Sequence, residues 1–204
     1  MRILILAVTC MLLAACAGSF ERNTPEPRVY RLAVPEAPVG TTLDVYLLVL
    51  KPVVAAGLRT ERIASLWPGN RIDYYAGARW SGELGGVIQS ALVQGIREAG
   101  RVATVEADPG RFRATHVLGV EVQRFEADYS AGEIPVARVA LTATVGRYGD
   151  RRALASFSVR TEAPASANTI TAVTAALDAA FGEAAVEIIA RSADALAADA
   201  SGQP

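Results

Sequence analysis

The hydrophobic and polar positions change period several times along the chain, and each change marks an element. Val29–Val34 has a short strand pattern. Leu43–Leu50, after Gly40-Thr41-Thr42, is apolar on both sides, as in a central strand buried on two faces. Pro52 ends it. Glu61–Trp67 and Arg71–Tyr75 read as strands joined by Pro68-Gly69-Asn70, a turn in which Pro fixes φ and Gly or Asn accepts positive φ. The pattern then becomes helical: Leu84, Val87, Ile88, Ala91, Leu92, Ile96 and Ala99 share one stripe. Ser81 is its candidate cap, Glu83 suits the positive end of its dipole, and Gly100 stops it.

Val102–Val105 is a short strand, and Pro109-Gly110 marks a loop. Thr115–Tyr129 has apolar residues at 118, 120 and 122, then at 125, 127 and 129, a phase slip that predicts a β-bulge near Gln123-Arg124. Ala137–Arg147 and Arg152–Ala163 alternate, joined as a hairpin by Tyr148-Gly149-Asp150-Arg151. Asn168 is the candidate cap of a last helix with the stripe Ile170, Val173, Leu177, Phe181, Ala184 and Ile188, continuing toward Leu196. Its alanine-rich turns beyond Arg191 are expected to fray. The sum is an α+β two-layer sandwich, a mostly antiparallel sheet with two main helices on one face.

The amino terminus changes the picture. Arg2 precedes an apolar run, Ile3–Leu13, too short to cross about 30 Å of hydrocarbon. It ends in Leu13-Ala14-Ala15-Cys16, a pattern resembling the bacterial lipobox; the other reading is an ordinary secretory signal or a membrane helix that happens to contain a cysteine. The lipobox implies a signal peptide over 1–15, cleavage before Cys16, and acylation of its thiol and new amino group. Residues 16–28 are then a lipidated, proline-containing linker, 29–191 one domain, and 192–204 an alanine-rich tail. Cys10 leaves with the signal, so no disulfide is expected in an oxidising periplasm. Ala17 after the cysteine favours the outer membrane, by resemblance to the sorting signals of enteric bacteria.

Composition narrows the chemistry. With 20 basic and 21 acidic side chains, the chain lacks the basic excess of a nucleic-acid binder. Its single histidine, His116, has no cysteine or second histidine to share a metal, and reads as structural or solvated. Glu126 and Asp128 share a strand face and read as solvated rather than as an acid/base pair. Gly85-Gly86 lies inside a helix and lacks phosphate-loop spacing. No catalytic residue, metal or cofactor is therefore assigned. Tyr74-Tyr75 with Arg79-Trp80 forms an aromatic and basic cluster, a candidate partner surface, with helix-start packing as the plainer reading of Trp80. Leu58, Trp67 and Tyr46 are candidates for an apolar groove.

The order of short motifs carries a resemblance. After the lipobox come Tyr30-Arg31-Leu32, then Gly57-Leu58-Arg59-Thr60-Glu61-Arg62-Ile63, Tyr74-Tyr75-Ala76 with Arg79-Trp80, and Val120–Tyr129. Together they resemble the ABC-type transport auxiliary lipoproteins, including PqiC-like lipoproteins, from about Tyr30 to Arg191. Family members often end the last helix with a tryptophan, which this chain lacks. The resemblance implies a non-catalytic envelope subunit whose partners are a periplasmic MCE-domain protein with its ABC permease and ATPase, in a system moving lipids between membranes. A homo-oligomer fits such a conduit. The alternative is a stand-alone lipoprotein holding a lipid or other hydrophobic ligand between its helices and sheet.

Overall fold

A computed structural model describes residues 26–107, 113–149 and 152–202. The signal segment, Cys16 and the linker up to residue 25, the Pro109-Gly110 loop and Asp150-Arg151 lie outside the described residues. The elements are β1 (Arg28–Tyr30), β2 (Leu43–Val49), β3 (Val53–Val54), a 3-10 turn (Ala56–Leu58), β4 (Arg62–Trp67), β5 (Arg71–Trp80), α1 (Leu84–Ala99), β6 (Val102–Glu106), β7 (His116–Asp128), β8 (Val136–Arg147), β9 (Ala153–Pro164) and α2 (Ile170–Ala200).

One sheet takes in all nine of these strands, and β7 is its spine. One edge of β7 pairs antiparallel with β8 from His116–Arg147 to Asp128–Val136. The other edge pairs in parallel with three strands in succession: β2, then β3, then β4. These three act as one long strand broken twice, first around Pro52, which has no N–H to give a ladder, then at the 3-10 turn. Beyond them β2 pairs in parallel with β6, and β4 antiparallel with β5, whose outer edge takes β1 in parallel.

The expected antiparallel sandwich is thus corrected to a mixed sheet in which five of eight strand pairings among the described residues are parallel. Hairpins announce antiparallel neighbours through their turns, whereas parallel neighbours are remote in sequence and leave no local signal. The α+β class with two helices holds.

The bulge in β7 falls where the phase slip put it: the register against β8 shifts between Val122 and Arg124. Strand β1 is shorter than its pattern, because only Arg28–Tyr30 finds a partner, at Ala78–Trp80 of β5. Conversely, β5 runs on past Tyr75, through Gly77 at φ 66°, to Trp80. Gly100 ends α1 in the left-handed conformation, as glycine does at little cost. Glu83, not Ser81, is the cap position of α1, and its carboxylate goes to Lys51 Nζ at 2.7 Å. Thr169, not Asn168, caps α2, its hydroxyl accepting the Ala172 N–H.

The core lies between the sheet and the two helices, which also pack on each other. Trp80 meets Phe125 of β7 edge-on with ring centres 5.7 Å apart, and Phe125 meets Phe181 of α2 at 6.1 Å. Leu47, Leu118, Leu141, Leu177 and Ile188 fill the rest. Each such side chain contributes about 1.5–3 kcal/mol by leaving water. Helix α2 does not fray after Arg191: Ser192, Ala193 and Leu196 are buried, and the helix continues to Ala200.

Candidate docking cleft on the helix-free face

Alternation along β5 separates the residues of the predicted cluster. Successive strand residues point to opposite faces, so Tyr74 and Tyr75 cannot share a surface. Tyr75 points to the helix side, where its hydroxyl lies 2.6 Å from that of Tyr129, which donates to Asn168 Oδ1 at 2.7 Å. Burial and then the Tyr129 hydroxyl push the Tyr75 phenol well above its usual range. Trp80 is 1% exposed and belongs to the core, so it is withdrawn from the partner surface. The backbone around Gly77 adds residues to β5 opposite β4, which resets the alternation and turns Trp80 inward. Arg79 pairs with Glu61 at 2.8 Å, with both side chains partly exposed.

Tyr74 points to the other side, against a cleft of about 440 Å³ on the sheet face that the helices leave bare. The cleft opens where β7 passes from β3 to β4. Its walls are apolar: Gly57 and Leu58 of the 3-10 turn, Leu66 of β4 and Ile72 of β5. Tyr74 braces the turn by donating to the Gly57 carbonyl at 2.8 Å, while the Arg62 guanidinium lies 4.1 Å from the Tyr74 ring centre. The turn sits close, since a Cβ on Gly57 would lie 3.0 Å from Ile72 Cδ1. Of the predicted groove, Leu58 and Trp67 line this cleft. Tyr46 does not; its hydroxyl donates to Glu106 on β6 at 2.6 Å.

The floor is ionic. Glu126 and Asp128, expected as solvated, are 7% and 6% exposed. Arg124 reaches along the strand to both, Nε to Glu126 Oε1 at 2.6 Å and Nη2 to Asp128 Oδ2 at 3.1 Å. Arg138 of β8 lies 2.7 Å from Asp128 Oδ2 through Nε and also pairs with Glu162 of β9. The remaining carboxylate oxygens accept backbone N–H groups, Glu126 Oε2 from Phe125 at 2.7 Å and Asp128 Oδ1 from Ser130 at 2.8 Å. Burial alone would raise the Asp128 carboxyl, but the Ser130 hydrogen bonds, Arg124 and Arg138 outweigh it and hold it below its usual value. Burial alone would lower the Arg124 guanidinium, but Glu126 and Asp128 outweigh it and raise it. Buried charge survives only when paired in this way. The floor is thus a network of paired charges between apolar walls.

His116 is a structural residue at the far end of β7. Its Nε2 lies 3.2 Å from Asp199 Oδ2 and its Nδ1 2.9 Å from Thr115 Oγ1. Arg147 of β8 grips the same Asp199 with two bonds of 2.9 Å. Arg147 and then His116 hold the Asp199 carboxyl below its usual value. The cluster clips the last turn of α2 to the sheet. Among the described residues, no group of three His, Cys, Asp or Glu is arranged to hold a metal ion. The alternative of a lipid between helices and sheet meets a filled core. The cavity at that interface lined by Leu47, Ile96, Ile189 and Leu196 is about 10 Å³, about the volume needed by one water.

This fold, a curled mixed sheet with two helices on one side, is shared by solved structures of similar proteins. The chain belongs to the family described as ABC-type transport auxiliary lipoprotein component, whose sequence model matches residues 30–189. It is similar to protein XCC0632 from Xanthomonas campestris, at 25% identity, covering 85% of this chain and 98% of that one with a TM-score of 0.79. An uncharacterized protein at 14% identity, covering 81% and 98% with a TM-score of 0.62, shares the fold. So does the hypothetical protein CT253 from Chlamydia trachomatis, at 10% identity, 76% and 99% coverage and a TM-score of 0.51. No curated protein matches the sequence.

Proposed function

We propose that the chain is a non-catalytic auxiliary subunit of an MCE-type ABC transport system, anchored to the outer membrane by acyl chains on Cys16 and facing the periplasm. In this role it docks the periplasmic MCE-domain subunit, links the permease and ATPase to the outer membrane, and supports lipid movement between the membranes and envelope integrity. The observation that carries this reading is the family match over residues 30–189, joined to Leu13-Ala14-Ala15-Cys16 ahead of it. Two or more acyl chains hold a protein on a membrane stably, where one binds marginally. The residues between Cys16 and Arg28 reach at most about 40 Å when extended, so the domain works close to the bilayer. The cleft braced by Tyr74 is the docking surface we assign, with Arg79 at the end of the same strand.

The test is crosslinking in cells, followed by pull-down of the tagged lipoprotein, membrane fractionation and identification of partners. Recovery of an MCE-domain protein with its permease and ATPase, from the outer-membrane fraction, is the expected result. Recovery of none of them overturns the transporter role; an inner-membrane location, or unchanged fractionation of Cys16→Ser, overturns the anchor.

A further inference from the structure

The edge of the sheet where the chain enters the fold gathers arginines from segments remote in sequence. Strand β1 begins at Arg28, and its Val29 lies opposite Arg79 of β5, which lies opposite Arg62 of β4. Trp80 points inward, so Val29, Arg79 and Arg62 form a row on the bare side, about 10 Å across three strands. The loops at this end are tied together through their backbone. Trp80 N–H donates to the Glu61 carbonyl at 2.7 Å, Ser81 N–H to the Tyr30 carbonyl at 2.7 Å, and Leu84 N–H to the Thr60 carbonyl at 3.1 Å. Residues 28–31 and 59–62 are thereby held at one end of the sheet.

Arg28, Arg31, Arg59 and Arg62 are all exposed. The acids around them are engaged elsewhere: Glu61 pairs with Arg79 at 2.8 Å, Glu83 pairs with Lys51 at 2.7 Å, and Asp178 accepts the Ala33 N–H at 2.7 Å. Among the described residues, none of the four arginines has a carboxylate at ion-pair distance; Arg62 lies over the Tyr74 ring instead. Glu26 offsets one of these charges. The excess is local, since the whole chain has 20 basic and 21 acidic side chains. Val29, 53% exposed, and the exposed Val34 place apolar surface among the guanidiniums. The chain ahead of the fold supplies an independent observation. It enters at this edge, and Cys16 lies only twelve residues before Arg28.

We propose that this edge rests on an anionic membrane surface, with Arg28, Arg31, Arg59 and Arg62 on lipid phosphates and Val29 among the headgroups. Guanidinium forks match phosphate oxygens in pairs, and basic side chains next to a membrane anchor are drawn to anionic lipid within a screening length of the surface. The inference rests on the Cys16 anchor proposed above and deepens it by giving the domain an orientation. The acyl chains hold the protein on the bilayer, and the arginines decide which side faces it. Strand β5 has ten residues and ends at this edge. Its other end, with the Pro68-Gly69-Asn70 turn that lines the cleft, then stands up to about 30 Å from the bilayer.

The experiment takes the lipoprotein purified from membranes with its anchor. It is mixed with vesicles of phosphatidylcholine alone, or of phosphatidylcholine and phosphatidylglycerol in equal parts. Flotation with the neutral vesicles reports the anchor, and hydrogen exchange of the bound protein reports the edge. The expected result is flotation with both. On the anionic vesicles alone, exchange over residues 28–34 and 59–62 should be roughly threefold slower or more, with residues 67–72 unchanged. The protection should vanish in about 0.5 M salt, where the screening length falls to about 4 Å. It should also vanish in the double variant Arg28→Glu with Arg59→Glu, both at exposed positions, while unchanged exchange in α2 shows that variant to be folded. Equal exchange on the two vesicle types, or protection that survives the double variant, overturns the proposal and leaves the arginines to an acidic protein partner. Failure to float with the neutral vesicles overturns the anchor instead. Flotation with the anionic vesicles alone then still supports the edge, and flotation with neither overturns both.

Discussion

The two faces of the sheet are stabilised by different means. The face under the helices is dry and apolar: Trp80, Phe125 and Phe181 form a chain of rings across it, and the leucines around them are fully buried. The bare face carries charge, with Glu126 and Asp128 buried beneath Arg124 and Arg138, and paired hydroxyls farther along, Thr142 with Ser158 and Thr144 with Ser156. Apolar packing is non-directional and tolerates whatever fills the volume. Buried ions stay buried only if every partner is in place. The helix-covered face therefore fixes the fold, and the bare face is a set of mutually dependent polar contacts.

The largest effect that sharpens this contrast comes from the dry face. Trp80→Ala leaves a cavity against Phe125 and should cost about 3–5 kcal/mol, read as a lowered urea midpoint with unchanged slope. Tyr74→Phe on the bare face removes only the bond to Gly57 and should cost about 0.5–1.5 kcal/mol. Equal losses from the two would break the distinction between the faces, and with it the placement of Trp80 in the core.

How much of this was legible follows the same division. The helical stripe of α1, its stop at Gly100 and the bulge at Gln123 all read from the sequence, because each repeats a period or visibly breaks one. The succession of β2, β3 and β4 along β7 did not, because parallel neighbours share no turn. Trp80 was ambiguous because its direction depends on the irregularity at Gly77, and a positive φ leaves no trace in an alternation of apolar residues. The cleft was half legible: Tyr74, Leu58 and Trp67 were singled out. The burial of Glu126 and Asp128 was not, since it depends on a turn over fifty residues away in sequence and on arginine side chains laid over the strand. The docked end of α2 was hidden by its alanines, which look featureless until Asp199 finds His116 and Arg147.

The next effect is smaller and belongs to the ionic floor. Asp128→Ala removes a carboxylate that Arg124, Arg138 and the Ser130 N–H share. The arginines keep Glu126 and Glu162 and are partly exposed, so the loss should be about 1–3 kcal/mol. Restoring bulk without charge, as Asp128→Leu, should recover little, because the Ser130 N–H and two guanidiniums lose their acceptor. Full recovery by leucine in denaturant melts would show the floor to be ordinary packing and erase the difference between the faces.

The smallest effect at neutral pH concerns the clip at the end of α2, where a single helical turn is at stake. Asp199 is held below its usual value of 3.8 by Arg147 and His116, and Asp128 is held below the same value by its own partners. A carboxyl lowered in the folded state binds its proton more tightly in the unfolded chain. The stability it contributes is therefore present above the unfolded value and lost as pH falls through the folded one. Thermal melts of the wild type should hold steady from neutral pH down to the ordinary aspartate range and fall steeply only below it. Asp199→Asn should start slightly lower at neutral pH and fall less steeply in acid, while hydrogen exchange over residues 192–200 rises. Adding Asp128→Asn should flatten the acid limb further without loosening α2, because that carboxylate acts on the other face and at the other end of β7. An acid limb unchanged by both substitutions would mean that neither cluster is linked to folding, and exchange in α2 that responds to Asp128 would mean that the two faces are coupled after all.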